Sequence, residues 1–117
     1  MFYRDSSYFG KREKNGSKVF WGRGNAWVVG GLSLLIPLLP EEFTSRDRYI
    51  ELFQEMMARI VTFQDDNGYW HASLLDPASY PSPETSSTGF FTFALWWGIN
   101  YGLLDEDIYL PYAYKGW

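Results

Sequence analysis

The hydrophobic positions along the chain fall into blocks with different periods. From about Asn25 to Leu39 nearly every position is apolar, with Ala26, Trp27, Val28, Val29, Leu32, Leu34, Leu35 and Ile36 on all sides of a helix. Pro40 closes the block, because proline cannot donate to a helical hydrogen bond. From about Ser45 to Gln64 the pattern becomes amphipathic. Ile50, Phe53, Met57, Ile60 and Val61 recur at helical spacing, and Arg46, Asp47, Glu51, Glu55 and Arg59 fill the opposite face. Glu55 and Arg59 are spaced for an i, i+4 pair, and Thr44 or Ser45 can cap the start. A third block, from about Ser86 to Tyr101, is again apolar on most sides, with Phe90, Phe91, Phe93, Ala94, Leu95, Trp96, Trp97 and Ile99. Thr85, Ser86 or Ser87 can cap its start and Gly102 can end it. Asp105 then caps a short terminal helix that Pro111 interrupts or kinks. Residues 1–20 read as an extended arm with a turn at Asn15-Gly16 and a solvated cluster of Lys11, Arg12, Glu13 and Lys14.

The order of these blocks predicts an all-α fold. Helices that are apolar all round are buried on both sides, whereas amphipathic ones sit at a surface. An alternation of inner and outer helices is what an α/α barrel requires, while a simple bundle would make every helix amphipathic. The expectation is a partial (α/α)6 barrel with residues 1–117 forming one portion of it. Two fully apolar helices in 117 residues have too little protein to bury against, so the chain self-associates or is part of something larger.

Composition narrows the chemistry. Aromatic residues make up 21% of the chain, more than a core of this size needs, which leaves flat rings for stacking on a ligand. The net charge of −4 argues against a nucleic-acid partner, which needs a basic face, and moves sugars ahead of nucleobases. There is no cysteine, hence no disulfide framework and no thiolate metal site, and a single histidine makes zinc a poor fit. No cofactor is expected. The run Ala26–Leu39 is broken by Gly30, Gly31, Ser33 and Pro37 and is shorter than the roughly 20 residues of a membrane span. The first residues carry no apolar core of a signal peptide, and a cytoplasmic or a periplasmic setting remains open.

Two segments hold the candidate chemistry. Phe20-Trp21-Gly22-Arg23-Gly24-Asn25-Ala26-Trp27 places two tryptophans, an arginine and an asparagine around two glycines at a helix start. Arg23 can bind a carboxylate bidentately, and the helix N-terminus favours the same anion. Trp21 and Trp27 can stack on a pyranose. The alternative is that Arg23 pairs with an internal carboxylate and the tryptophans are core. The second segment runs from Asn67-Gly68-Tyr69-Trp70-His71 to Tyr80-Pro81-Ser82-Pro83-Glu84-Thr85-Ser86-Ser87. His71 can hydrogen-bond a sugar hydroxyl or move a proton, or can simply hold the loop. Glu84 can act on a ligand, or can be a first-turn acid drawn to the helix dipole. Asp65-Asp66-Asn67-Gly68 lacks the alternation of a calcium loop and reads as a helix end and turn. No Gly-x-Ser-x-Gly elbow and no Gly-x-Gly-x-x-Gly loop is present.

Trp21-Gly22-Arg23-Gly24-Asn25-Ala26-Trp27 resembles the Trp-x-Arg-Gly-Asn-Gly-Trp motif of unsaturated rhamnogalacturonyl hydrolases, glycoside hydrolase family 105, which are related to the unsaturated glucuronyl hydrolases of family 88. Gln64–His71, Ser79–Phe91, Trp97–Leu104 and Lys115–Trp117 are similar to segments of the same families, in the same order. Ala26 stands where the family often has glycine. The resemblance implies an (α/α)6 barrel acting on oligosaccharides that end in a Δ4,5-unsaturated uronic acid, by hydration of the vinyl ether with an aspartate as general acid/base. That aspartate lies upstream of the tryptophan–arginine motif, and residues 1–20 hold no match for it. The expectation is therefore a C-terminal part of such an enzyme that retains part of the sugar cleft. Trp21, Arg23, Asn25 and Trp27 map onto the cleft motif, with His71, Glu84, Thr85 and Ser86 on loops near it, and none is assigned a catalytic role. The rival expectation is a non-catalytic carbohydrate-binding or oligomerising helical module.

Overall fold

Four helices and their short 3₁₀ extensions carry the chain in the computed structural model, which describes residues 1–117. They are α1 (Gly22–Leu35), α2 (Arg46–Ile60), α3 (Thr85–Asn100) and α4 (Glu106–Gly116). No strand forms, and only isolated bridges link Arg12 to Lys18, Trp21 to Ser73 and His71 to Pro83. None of the helices is long and apolar enough to cross a membrane.

α1 starts at Gly22, ahead of the expected Asn25, so the two motif glycines lie in its first turn rather than in a loop. A Cβ on Gly22 would fall 2.6 Å from the carbonyl oxygen of His71, so glycine is what lets the helix touch that backbone. Pro37, not Pro40, ends the helix. The last α-type bond runs from the Ile36 N–H to the Leu32 carbonyl, and the chain tightens into a 3₁₀ turn over Ile36–Leu38.

α2 is amphipathic as its pattern predicts and buries Phe53, Met56, Met57 and Ile60. Ser45 occupies the cap position but its side chain makes no cap bond. The expected Glu55–Arg59 pair does not form. Arg48 reaches Glu51 at 3.3 Å and Glu55 at 3.6 Å, and Arg59 lies 4.7 Å over the Phe63 ring.

α3 is capped by Glu84, one residue before the Thr-Ser-Ser run that looked suited to the task. It ends at Gly102, whose φ of 76° few other residues adopt. Asp105 caps α4 by accepting from the Asp107 N–H. α4 then runs through Pro111 to Gly116, which corrects the expected interruption. One intrahelical bond is forfeited there. Ala113 in the core and Tyr109 and Tyr112 packed against it hold the helix regardless.

α1 and α3 lie along one another in the same sense: Gly22 meets Ser87, and Gly30 meets the Phe90 ring. α2 covers α1 and α4 covers α3. This inner–outer–inner–outer order is two hairpins of a partial α/α barrel. The inner helices bury Ala26, Val29, Phe91, Ala94 and Leu95 completely, yet other apolar side chains on them stay open. Trp27 is 62% exposed, Leu34 66% and Phe93 43%, so these helices are covered on one side only.

Candidate functional site

The parallel inner helices bring their N-termini together, and the segment between α2 and α3 is pinned beneath them. Gly22 donates to the Ala72 carbonyl at 2.8 Å, Leu74 to Phe20 at 3.0 Å, and Glu84 to Trp70 at 2.8 Å. Gly68, at φ 93°, presses against the carbonyl of Lys115, where a Cβ would collide with backbone. Trp70 is wholly buried, and its indole N–H donates to Ile60 at 2.8 Å.

His71 is committed to this segment. Its Nδ1 faces the carbonyls of Tyr80 (3.0 Å) and Ser82 (3.2 Å), and its Nε2 faces Asp65 Oδ2 at 3.0 Å. Both ring nitrogens thus face oxygen acceptors, so each contact needs a proton on the nitrogen that makes it. Burial alone would push the Asp65 carboxyl up. The N–H groups of Tyr69 and Asn67, with His71, outweigh burial and hold it below the usual carboxylate range.

Above the two helix starts lies a cleft of about 510 Å³. Trp21, Arg23, Asn25 and Trp27 line it from the start of α1, and Glu84 from the start of α3. His71, Thr85 and Ser86 are not among its walls. Thr85 is exposed, and the Ser86 N–H serves Glu84. Phe2, Tyr3 and Arg4 of the N-terminal arm form the facing wall. The arm carries no helical or strand period, so sequence reasoning had no signal to bring it here.

Arg23 donates from one terminal nitrogen to Glu84 Oε1 at 2.9 Å, with the arginine side chain 66% exposed and the glutamate 13%. Glu84 Oε2 accepts from the Ser87 N–H at 2.6 Å and Oε1 from the Ser86 N–H at 3.3 Å. Burial would raise the Glu84 carboxyl, but the hydrogen bonds from Arg23 and Ser87, then Ser86, hold it below its ordinary value. Asn25, only 1% exposed, has its carboxamide fully used: it accepts from the Phe2 N–H at 2.8 Å and donates to the carbonyls of Phe2 (3.1 Å) and Trp21 (3.0 Å). The Trp27 ring rests on Phe90 at 4.7 Å, and Trp21 meets Tyr80 edge-on at 5.4 Å. No group of three His, Asp or Glu side chains is close enough to hold a metal ion.

The family profile described as Glycosyl Hydrolase Family 88 matches residues 1–117. The chain belongs to glycosyl hydrolase family 88. An unsaturated 3S-rhamnoglycuronyl hydrolase of Alteromonas sp. (strain LOR) is 46% identical over 117 residues, which is 100% of this chain and 28% of that relative. A family 88 glycosyl hydrolase structure from Bacteroides vulgatus superimposes with a TM-score of 0.96 at 43% identity, over 99% of this chain and 34% of that one. A possible member of glycoside hydrolase family 105 from Klebsiella pneumoniae subsp. pneumoniae MGH 78578 matches at 29% identity and a TM-score of 0.74, over 84% of this chain and 26% of its own. The chain thus spans about a third of the family members it matches. In this family 88 chain the cleft offers ring faces, the guanidiniums of Arg4 and Arg23 and one ionised carboxylate. That set can stack on a flat or ring-shaped ligand and hold an anionic group.

Proposed function

We propose that the chain forms part of the sugar-binding cleft of an unsaturated uronyl hydrolase and supplies substrate contacts rather than the proton. The observation that carries this reading is the state of Glu84. It is the single carboxylate in the cleft wall, and it is held ionised between Arg23 and the start of α3. A general acid working near neutral pH needs a carboxyl with a raised pKa, and this one is lowered. The free donors of Arg23 take the uronate carboxylate, and Trp21 and Trp27 offer their faces to the rings. Hydration of the vinyl ether then needs an acid other than Glu84, the one carboxylate in the cleft wall.

The test adds a Δ4,5-unsaturated uronyl disaccharide to the chain and follows two signals. Tryptophan fluorescence changes saturably, and Arg23→Ala weakens that binding about tenfold, the scale of one lost charge-assisted contact. The ultraviolet absorbance of the double bond does not fall. Robust turnover by this chain alone refutes the reading.

A second reading is self-association through the open apolar faces of Leu34 (66% exposed) and Leu38 (79% exposed). Light scattering of the chain separates the two: a mass above that of one chain supports association, and a monomer that binds the disaccharide supports the first reading.

A further inference from the structure

The turn between Arg12 and Lys18 folds back onto the segment between α2 and α3. Arg12 and Lys18 pair across it, and the Glu13 carbonyl and N–H close it around Gly16, at φ 84°. Two side chains fasten the turn to that segment. Asn15 donates to the Leu75 carbonyl at 2.7 Å, and Glu13 accepts from the hydroxyl of the wholly buried Ser73. Asp76 follows, only 3% exposed, and its Oδ2 is sealed from solvent without a hydrogen-bond partner. It stands at the cap position of the short turn Pro77–Ser79, yet its side chain makes no cap bond. No lysine, arginine or histidine pairs with Asp76 or Glu13. Burial, then the negative charges of Glu13 and Asp76, push the Tyr80 phenol up, so both carboxylates act on one point. None of Glu13, Ser73, Asp76 and Tyr80 lines the cleft.

A carboxylate enclosed without a partner is costly, and folded proteins meet that cost with a counter-charge, a metal ion or a proton. We propose that Glu13 and Asp76, with the Ser73 hydroxyl, hold a divalent cation of the calcium type. Two carboxylates and a hydroxyl, completed by water, are a hard donor set of oxygens alone, which suits calcium. Zinc prefers nitrogen or sulfur ligands, and the one histidine is engaged with Asp65, Tyr80 and Ser82. The ion ties the turn of the N-terminal arm to the segment beneath the inner helices. With two charged ligands the site is a weak one, with a Kd of about 10⁻⁴–10⁻³ M.

Calcium chloride alone is the probe. The melting midpoint of the full chain is followed by circular dichroism in chelator-treated buffer as calcium rises to about 10 mM, at constant ionic strength. At ten times the Kd the expected rise is about 6 °C. Magnesium demands a tighter, near-octahedral shell and gives a smaller rise at the same concentration. Asp76→Asn removes the enclosed charge, and Glu13→Gln keeps an acceptor for Ser73, so both variants fold, and each loses the response to calcium. An unchanged midpoint in the wild type overturns the proposal and leaves a proton as the occupant of Asp76. An equal rise with magnesium, or a rise that survives either substitution, overturns it as well.

Discussion

Replacing Glu84 with alanine is the sharpest probe of the cleft, because one side chain joins the two inner helices. Its oxygens accept from the Ser86 and Ser87 N–H groups of α3 and from the Arg23 guanidinium of α1. Loss of the cap costs about 1 kcal/mol. Loss of a negative charge at a helix N-terminus costs roughly 0.3–1 kcal/mol more. The pair with Arg23, whose side chain is 66% exposed, adds at most about 1 kcal/mol. These contributions share atoms, so about 2 kcal/mol in total is expected, a fall of about 8 °C in melting midpoint for a chain of this length. The sign with pH follows from the lowered pKa. The fold favours the ionised carboxyl, so its contribution is present above the ordinary value of 4.5 and is lost as pH falls through the lower folded value. Melts followed by far-ultraviolet circular dichroism at neutral pH and at about pH 3 should show the gap between wild type and Glu84→Ala closing in acid. Asp5 and Asp65 are also lowered, so both proteins lose stability there, and the difference between them isolates Glu84. A gap that is unchanged or wider in acid refutes the account of Glu84 as an ionised clamp.

Asn25→Ala should release the arm and cost about 2–3 kcal/mol for its buried hydrogen bonds, and brief proteolysis should then cut within residues 1–10, which resist in the wild type. Gly68→Ala combines a φ of 93° with a collision against the Lys115 carbonyl, so chemical denaturation should show a loss above about 2 kcal/mol. Trp70→Ala should cost about 3–5 kcal/mol, because the ring is wholly buried, whereas Trp27→Ala, at 62% exposure, should change stability by less than about 1 kcal/mol and weaken sugar binding instead.

The fold was legible where burial imposes a period. The contrast between apolar α1 and α3 and amphipathic α2 predicted inner and outer helices, and the turns at Gly68 and Gly102 followed from residues suited to positive φ. Local chemistry misled where tertiary contact decided the outcome. The expected helix began at Asn25, but it opens at Gly22, where only the absence of a Cβ lets the helix start meet the His71 carbonyl. Thr85, Ser86 and Ser87 are better caps than glutamate by propensity, yet Glu84 caps because it also answers Arg23. Of the segments that make the cleft, the α1 motif was visible as a cluster of residue types. The arm was not, since its placement depends on a carboxamide 23 positions away.

The clamp between Arg23 and Glu84 joins positions 61 residues apart. During synthesis, at roughly 5–20 residues per second, the first partner waits about 3–12 s for the second to be made. Through that interval α1, with its core residues Val29 and Leu32, has been made without α3, the inner helix it packs along. The nascent chain therefore presents its stickiest surface before the means to hide it exist.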